Sequence, residues 1–285
     1  MRFAELGSPV VSAIMPAYNA EHHLGDAIES IQGQTFADWE LIVVDDGSTD
    51  DTFRIASAYD DSRILVIRLP ANTGRGGARN EALRRAKGKY IAICDADDIS
   101  LPERFSREVD LLERRPDLDV VSGQVAMFWE NEAPRIQVRY PQSDAVIRER
   151  LERGRMGIAN NVAMIRAECF ARFGGYCEDL LRAEDLEFFM RIRNQCHFES
   201  LPDVLVHYRH EVGLPSLRKW IENSRYARYA AYRAQAAQSS GATGPVSFKD
   251  FDRQWTSKIA PYTVGLLQYA KHVIDARVRP GRTLR

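Results

Sequence analysis

Four short, almost unbroken apolar runs fall in the first hundred residues: VVSAIM at 10–15, ELIVV at 40–44, ILVIR at 64–68 and YIAIC at 90–94. A strand with one wet face must alternate apolar and polar side chains, so runs that do not alternate read as strands covered on both faces. Helical spacing fills the gaps. Residues 21–34 put Leu24, Ala27, Ile28 and Ile31 on one side, residues 51–59 and 75–86 repeat the pattern, and residues 102–115 open with a proline in the first turn. Strand and helix in strict alternation predict an α/β fold, a Rossmann-like, mainly parallel sheet with helices on both faces. In such a sheet ligands lie beyond the carboxyl ends of the strands. The polar residues just after each strand are therefore the ones to read.

From about residue 119 the pattern turns mixed. Short strands are expected near 120–122, 136–139 and 161–165, with helices over 144–153 and 184–195. Beyond these come a long Arg- and Tyr-rich helix at 215–237, a loop at 238–245, and a largely helical stretch over 248–278 broken at Pro261. This divides the chain into 1–118, 119–214 and a helical extension, 215–285. With 39 Lys+Arg against 40 Asp+Glu the net charge is −1, which argues against a nucleic-acid binder. The extension nevertheless holds 13 basic and 4 acidic residues, whereas residues 1–214 hold 26 and 36. An imbalance of that kind suits docking on the acidic part, a homodimer contact, or peripheral contact with anionic lipid. Cys94, Cys169, Cys177 and Cys196 form no C-x-x-C pair and have no histidine at zinc spacing, so neither a disulfide framework nor a structural metal is expected. The apolar run at 10–15 is too short for a signal peptide or a membrane span, and a cytoplasmic location is expected.

Pro16-Ala17-Tyr18-Asn19 follows the first strand and Asp45-Asp46-Gly47-Ser48 the second. An aromatic ring beside a carboxylate suits a nucleobase, stacking on its face and accepting its imide N–H, although Asp-Gly-Ser also suits a turn with Ser48 as a helix cap. After the third strand, Gly74-Arg75-Gly76-Gly77-Ala78-Arg79-Asn80 enters a helix through glycines, as a phosphate-binding turn or a tight strand-to-helix crossing would. It is not a dinucleotide fingerprint, which requires G-x-G-x-x-G after the first strand. Asp95-Ala96-Asp97-Asp98 follows the fourth strand; three carboxylates in four residues repel unless a cation lies among them, and oxygen ligands favour Mg²⁺ or Mn²⁺. Farther on, Glu184 and Asp185 sit in the first turn of a helix, and His207-Tyr208-Arg209-His210 closes a strand.

In this order, PAYN at 16–19, VVDDGSTD at 43–50, GRGGARN at 74–80, CDADD at 94–98 and AEDLEFFMR at 183–191 resemble the inverting glycosyltransferase family 2, which has the GT-A fold. The resemblance spans roughly residues 9–210. It implies transfer of one sugar from a nucleoside-diphosphate sugar, UDP-sugar favoured, to a hydroxyl on a saccharide or lipid-linked saccharide. Residues 1–118 would then be the nucleotide-sugar half and 119–214 the acceptor half. Pro16, Ala17, Tyr18, Asn19, Asp46, Gly74, Arg79, Asp95 and Ala96 would bind the donor nucleotide. Asp95 and Asp97 would form the metal-binding DxD pair with His210 as a further ligand, and Asp185 would be the catalytic base. The Gln-x-x-Arg-Trp signature of processive synthases is absent, so single-residue transfer is expected. A sugar nucleotidyltransferase would show Gly-x-Gly-Thr-Arg where PAYN stands. A catalytically inactive sugar-nucleotide binder is the remaining rival.

Overall fold

A computed structural model describes residues 8–129, 136–210, 217–238, 247, 248 and 251. The first half alternates as expected: β1 (Val11–Ala17), α1 (Leu24–Gln32), β2 (Trp39–Asp45), α2 (Thr52–Ala56), β3 (Ile64–Arg68), α3 (Gly74–Arg85) and β4 (Tyr90–Ile93). A two-residue strand, β5 (Ile99–Ser100), then precedes α4 (Arg104–Arg114). β1 pairs in parallel with β2 on one side and β4 on the other, and β2 pairs in parallel with β3. Alternate side chains of these strands enter different cores. Ala13, Met15, Leu41 and Val43 pack with α1, α2 and α4, whereas Ile14, Ile42 and Val44 pack with α3 on the opposite face. In β1, β2 and β4 both faces are dry, which is why their sequence runs are unbroken and apolar; β3, expected to be covered on both faces as well, is the edge strand and leaves Leu65 exposed.

The second half consists of β6 (Val120–Phe128), β7 (Ile136–Val138), α5 (Asp144–Glu152), a 3₁₀ turn at Asn160–Val162, β8 (Met164–Arg166), α6 (Ala167–Phe173), α7 (Glu184–Ile192), β9 (Phe198–Arg209) and α8 (Leu217–Gln238). The sheet continues without a break from the first half, in the order β3-β2-β1-β4-β8-β6-β9-β5, with β7 on β6. β8 runs antiparallel to both β4 and β6, so the sheet is mixed where the sequence pattern changes. Two strands outrun their sequence signal. β6 continues through Ser122-Gly123-Gln124 because its buried polar groups find partners: Ser122 Oγ donates to the Ala159 carbonyl at 3.0 Å and Gln124 Nε2 to that of Leu201 at 2.7 Å. β9 passes through Pro202, where its pairing with β6 shifts register. The strand expected at 161–165 is instead the 3₁₀ turn followed by β8.

Tyr226, Tyr229 and Ala230 of α8 are buried with Leu180, and Phe248 stacks on Tyr226 at 4.3 Å between ring centroids, so this part of the extension docks on the fold beside α7. The expected helix over 248–278, apart from Phe248 and Phe251, and the arginines at 277, 279, 282 and 285 lie outside the described residues. No described helix is long and apolar enough to cross a membrane.

Candidate active site

The carboxyl ends of β1 and β2 are tied to each other and to the start of α3. The Asn19 N–H donates to Ser48 Oγ at 2.9 Å and the Thr49 N–H to Asn19 Oδ1 at 3.0 Å, with Asn19 in the left-handed region at φ 49°. Ser48 therefore holds β1 rather than capping α2, whose first turn is preceded by Asp51. The two oxygens of Asp46 accept from the Thr73 N–H at 2.7 Å, the Thr73 hydroxyl at 2.8 Å and the Gly74 N–H at 3.0 Å. Asp46 is thus a buried clamp on the loop entering α3. Tyr18 stands at the rim, 49% exposed, and Ala17 is buried in β1 behind Pro16.

At the end of β4 the carboxylates gather. Asp95, Asp97 and Asp98 offer oxygens that all lie within 4.8 Å of one another, with Ala96 buried between the first two. Asp98 accepts from Asn161 Nδ2 at 2.5 Å and from the Arg209 N–H at 2.9 Å, which occupies both of its oxygens. Burial, then the charges of Asp95 and Asp97, raise its carboxyl well above the ordinary range. Asp97 is accessible, yet the protein packed around it and the neighbouring Asp95 push its carboxyl up to about 6. Mutual repulsion at short range, with lone pairs of Asp95 and Asp97 left over, is the chemistry that a hard divalent cation relieves, and the residues present fit such an ion.

Arg79 is the hinge of the site. It is buried, and its guanidinium bridges Asp95 at 3.0 Å and Glu184 at 2.6 Å, joining the end of β4 to the start of α7. Burial opposes its charge, but Asp95 and Glu184 outweigh burial and hold its pKa above the ordinary value. Glu184 is buried as well, and burial raises its carboxyl against the pull of Arg79. The segment leading to α7 can approach α3 closely because α3 carries glycine at the contact: a Cβ on Gly76 would lie 3.0 Å from the Cys177 carbonyl oxygen.

α7 starts from Ala183 at φ 59°, which turns Glu184 inward to Arg79 and leaves Asp185 half-buried on the cavity side, where its Oδ1 accepts the Leu186 N–H at 2.7 Å. Behind it Leu186, Phe189 and Met190 are buried in the core shared with α3 and α5. The cavity measures about 900 Å³ and is lined by Asp95, Arg79, Glu184, Asp185, Asn160, Asn161, Tyr208 and His210, among others. Gly74, Tyr18, Asn19 and Asp46 lie outside that lining, at the neighbouring strand ends. The His210 N–H donates to the Phe128 carbonyl at 2.9 Å and its ring packs near Trp129 and Tyr208. It faces the cavity but is not among the three carboxylates that cluster within 4.8 Å. Sequence reading passed over Arg75, Arg139, Tyr140 and Arg150, which also line the cavity. Only the position of Arg75 inside GRGGARN hinted at it.

Residues 12–173 match the model of glycosyl transferase family 2, and the chain belongs to that family. It is 32% identical over 215 residues to the uncharacterized glycosyltransferase MJ1057 of Methanocaldococcus jannaschii, covering 72% of each chain. It is 42% identical over 103 residues to the UDP-Glc:alpha-D-GlcNAc-diphosphoundecaprenol beta-1,3-glucosyltransferase WfgD of Escherichia coli, an alignment that spans 36% of this chain and 41% of WfgD. Among solved structures, S. aureus TarS 1–349 in complex with UDP superposes with a TM-score of 0.61 at 24% identity, over 85% of this chain and 68% of that one. The mannosyltransferase PcManGT of Pyrobaculum calidifontis, in complex with GDP-Man and Mn²⁺, gives 0.59 at 20% identity over 98% and 77%. At those identities the likeness concerns the fold: a mixed α/β, GT-A sheet.

Proposed function

We propose that the protein is a metal-dependent, inverting, non-processive glycosyltransferase that moves one sugar from a nucleoside-diphosphate sugar to an acceptor hydroxyl on a saccharide or lipid-linked saccharide. The observation that carries this reading is the Arg79 bridge, which places Asp95 and the first turn of α7, with Asp185, on one cavity wall. In this reading the donor lies at the Asp95 end of the Asp95–Arg79–Glu184 network, and the base is the neighbour of its Glu184 end.

In this reading Tyr18 stacks on the base, and Asp46 shapes the loop around it and has a lone pair left for an imide N–H. A UDP-sugar is the favoured donor, supported by the UDP-Glc in the name of the related E. coli enzyme. Asp97 and Asp95 would hold Mn²⁺ or Mg²⁺. The cation would supply Lewis-acid stabilisation of the charge that develops on the departing nucleoside diphosphate. Asp185 takes the proton of the acceptor hydroxyl as its oxygen attacks the anomeric carbon, and the in-line geometry inverts that centre. One carboxylate suffices, because no covalent glycosyl intermediate forms. Arg79 keeps Glu184 and Asp95 paired, so Asp185 is the carboxylate of this wall left to the acceptor.

The basic extension, 215–285, is read as a peripheral contact with anionic lipid or with a second copy of the chain at the cytoplasmic face of the membrane. Its excess of basic over acidic residues supports that reading. The deciding experiment is a panel of nucleotide sugars with and without Mn²⁺, read by diphosphate release and by thermal shift. Donor hydrolysis or transfer that EDTA abolishes is expected. Full turnover in EDTA would remove the metal assignment, and nucleotide-sugar binding without any turnover would favour an inactive binding protein of the same fold.

A further inference from the structure

The cavity lining holds groups of opposite charge: Asp95, Glu184 and Asp185 on one hand, and on the other Arg139, just after β7, and Arg150 of α5. Of the other arginines in the lining, Arg79 has two carboxylate partners and Arg182 lies 3.6 Å from Glu222, while Arg75 makes no ion pair among the described residues but lowers the carboxyl of Asp97 by its charge. Arg139 donates to Gln137 Oε1 at 3.1 Å, and neither it nor Arg150 has an ion-pair partner among the described residues. Tyr140 lines the same cavity. Burial and then Asp185 oppose ionisation of its phenol while Arg150 favours it, so both charges reach the same ring. Val125, Met127, Ile136, Val138 and Met156 form an apolar wall alongside.

We propose that Arg139 and Arg150 bind a phosphate or diphosphate carried by the acceptor, whose hydroxyl then lies at Asp185 and whose apolar portion lies along that wall. The inference deepens the glycosyltransferase reading and rests on it. Two guanidiniums in one concave site, without carboxylate partners among the described residues, suit the charge and donor pattern of a phosphate better than a neutral saccharide. A lipid-borne glycosyl diphosphate and a soluble sugar phosphate share that chemistry, and the continuous apolar wall favours the lipid-borne form.

The test is calorimetric titration of the full chain in EDTA, which keeps anions off any cation at Asp95 and Asp97, using decyl phosphate, methyl phosphate and decyl maltoside. Wild type is expected to bind decyl phosphate saturably and to be indifferent to decyl maltoside. Arg139→Gln with Arg150→Gln should weaken decyl phosphate by about tenfold or more, since each guanidinium contributes a charge-assisted bond. The single variants, read the same way, serve if the double variant melts early. Methyl phosphate binding about as tightly as decyl phosphate points to a soluble acceptor, and much weaker binding to a lipid-borne one. UDP binding with Mn²⁺ is measured in parallel. Wild type that binds UDP but not decyl phosphate, or variants that bind decyl phosphate as wild type does, overturns the inference while leaving the donor reading intact. Failure to bind any nucleotide sugar counts against the donor reading instead.

Discussion

Asp185 and Glu184 are adjacent in sequence and opposite in circumstance. The left-handed Ala183 sends one to a buried guanidinium and the other to the cavity. If Asp185 is the base, Asp185→Asn should lower transfer by roughly 10²–10⁴-fold with donor affinity nearly unchanged, because the amide cannot accept the proton. Its cost in stability should stay below about 1 kcal/mol, as a side chain that completes a helix dipole would show. Transfer rate and donor dissociation constant for both proteins decide the matter; retention of more than about a tenth of wild-type transfer would move the base elsewhere. A second residue-scale prediction concerns Glu108, buried beneath the site against Arg104 at 3.4 Å. Burial pushes its carboxyl up to about 8, with Arg104 opposing. An unfolded glutamate titrates near about 4.3, so between the two values the folded state holds more protons than the unfolded one. That contribution to stability is full below the unfolded value and is lost as pH rises through about 8. Urea midpoints should therefore decline from about pH 6 to pH 9 in wild type and decline less in Glu108→Gln.

Among the elements, the connections before α3 and α7 decide the shape of the site more than the helices do. Gly47 follows β2 at φ +72°, and a Cβ there would meet the backbone carbon of Ala71 at 2.7 Å. Gly47→Ala should cost about 1–3 kcal/mol and loosen the Asp46 clamp on Thr73 and Gly74. The expected readout is a lower melting temperature together with weaker nucleotide affinity; a melting temperature equal to that of wild type would show that the loop relaxes freely. Expected helix boundaries were generous: α1 starts at Leu24 rather than at residue 21, and α2 is only Thr52–Ala56. Their flanking residues had helical composition but were drawn into bonds between strand ends, as with the Glu21 N–H on Asp50 and the Ala20 N–H on Thr52.

Across the whole molecule, one sheet joins the two halves that the sequence pattern separates, and distant cysteines meet in the core packed on one of its faces. Cys169 of α6 and Cys196 after α7 lie with their sulfurs 3.9 Å apart, near Asp119. The Cys196 thiol, then burial, holds the Cys169 thiol far above its ordinary pKa, and burial pushes that of Cys94 up to about 11. Cys177 is the one cysteine of the four that is partly exposed. Native protein should therefore show one readily titrated thiol with a disulfide reagent, lost in Cys177→Ser, while the other three react only on unfolding. A second fast equivalent in native protein would contradict the packing described.

The sequence by itself determined the parallel β1–β4 half, the residues that sit at its strand ends and the family, because burial on both faces writes itself as uninterrupted apolar runs and because strand-end motifs are contiguous. The places of Asp46, Asp95 and Asp97 at strand ends were legible for that reason, and that of Asp185 in the first turn of a helix was legible from the apolar spacing behind it. The Arg79 bridge between Asp95 and Glu184, the occupation of Asp98 by Asn161 and Arg209, and the meeting of Arg139 and Arg150 in one cavity without an ion-pair partner among the described residues were decided only by the tertiary structure. The first two join residues from 16 to 111 positions apart, and the third depends on which charges the fold leaves without an opposite one nearby. A local pattern carries no record of which distant side chain comes to meet it, and the sign and burial of a group are set by that neighbour.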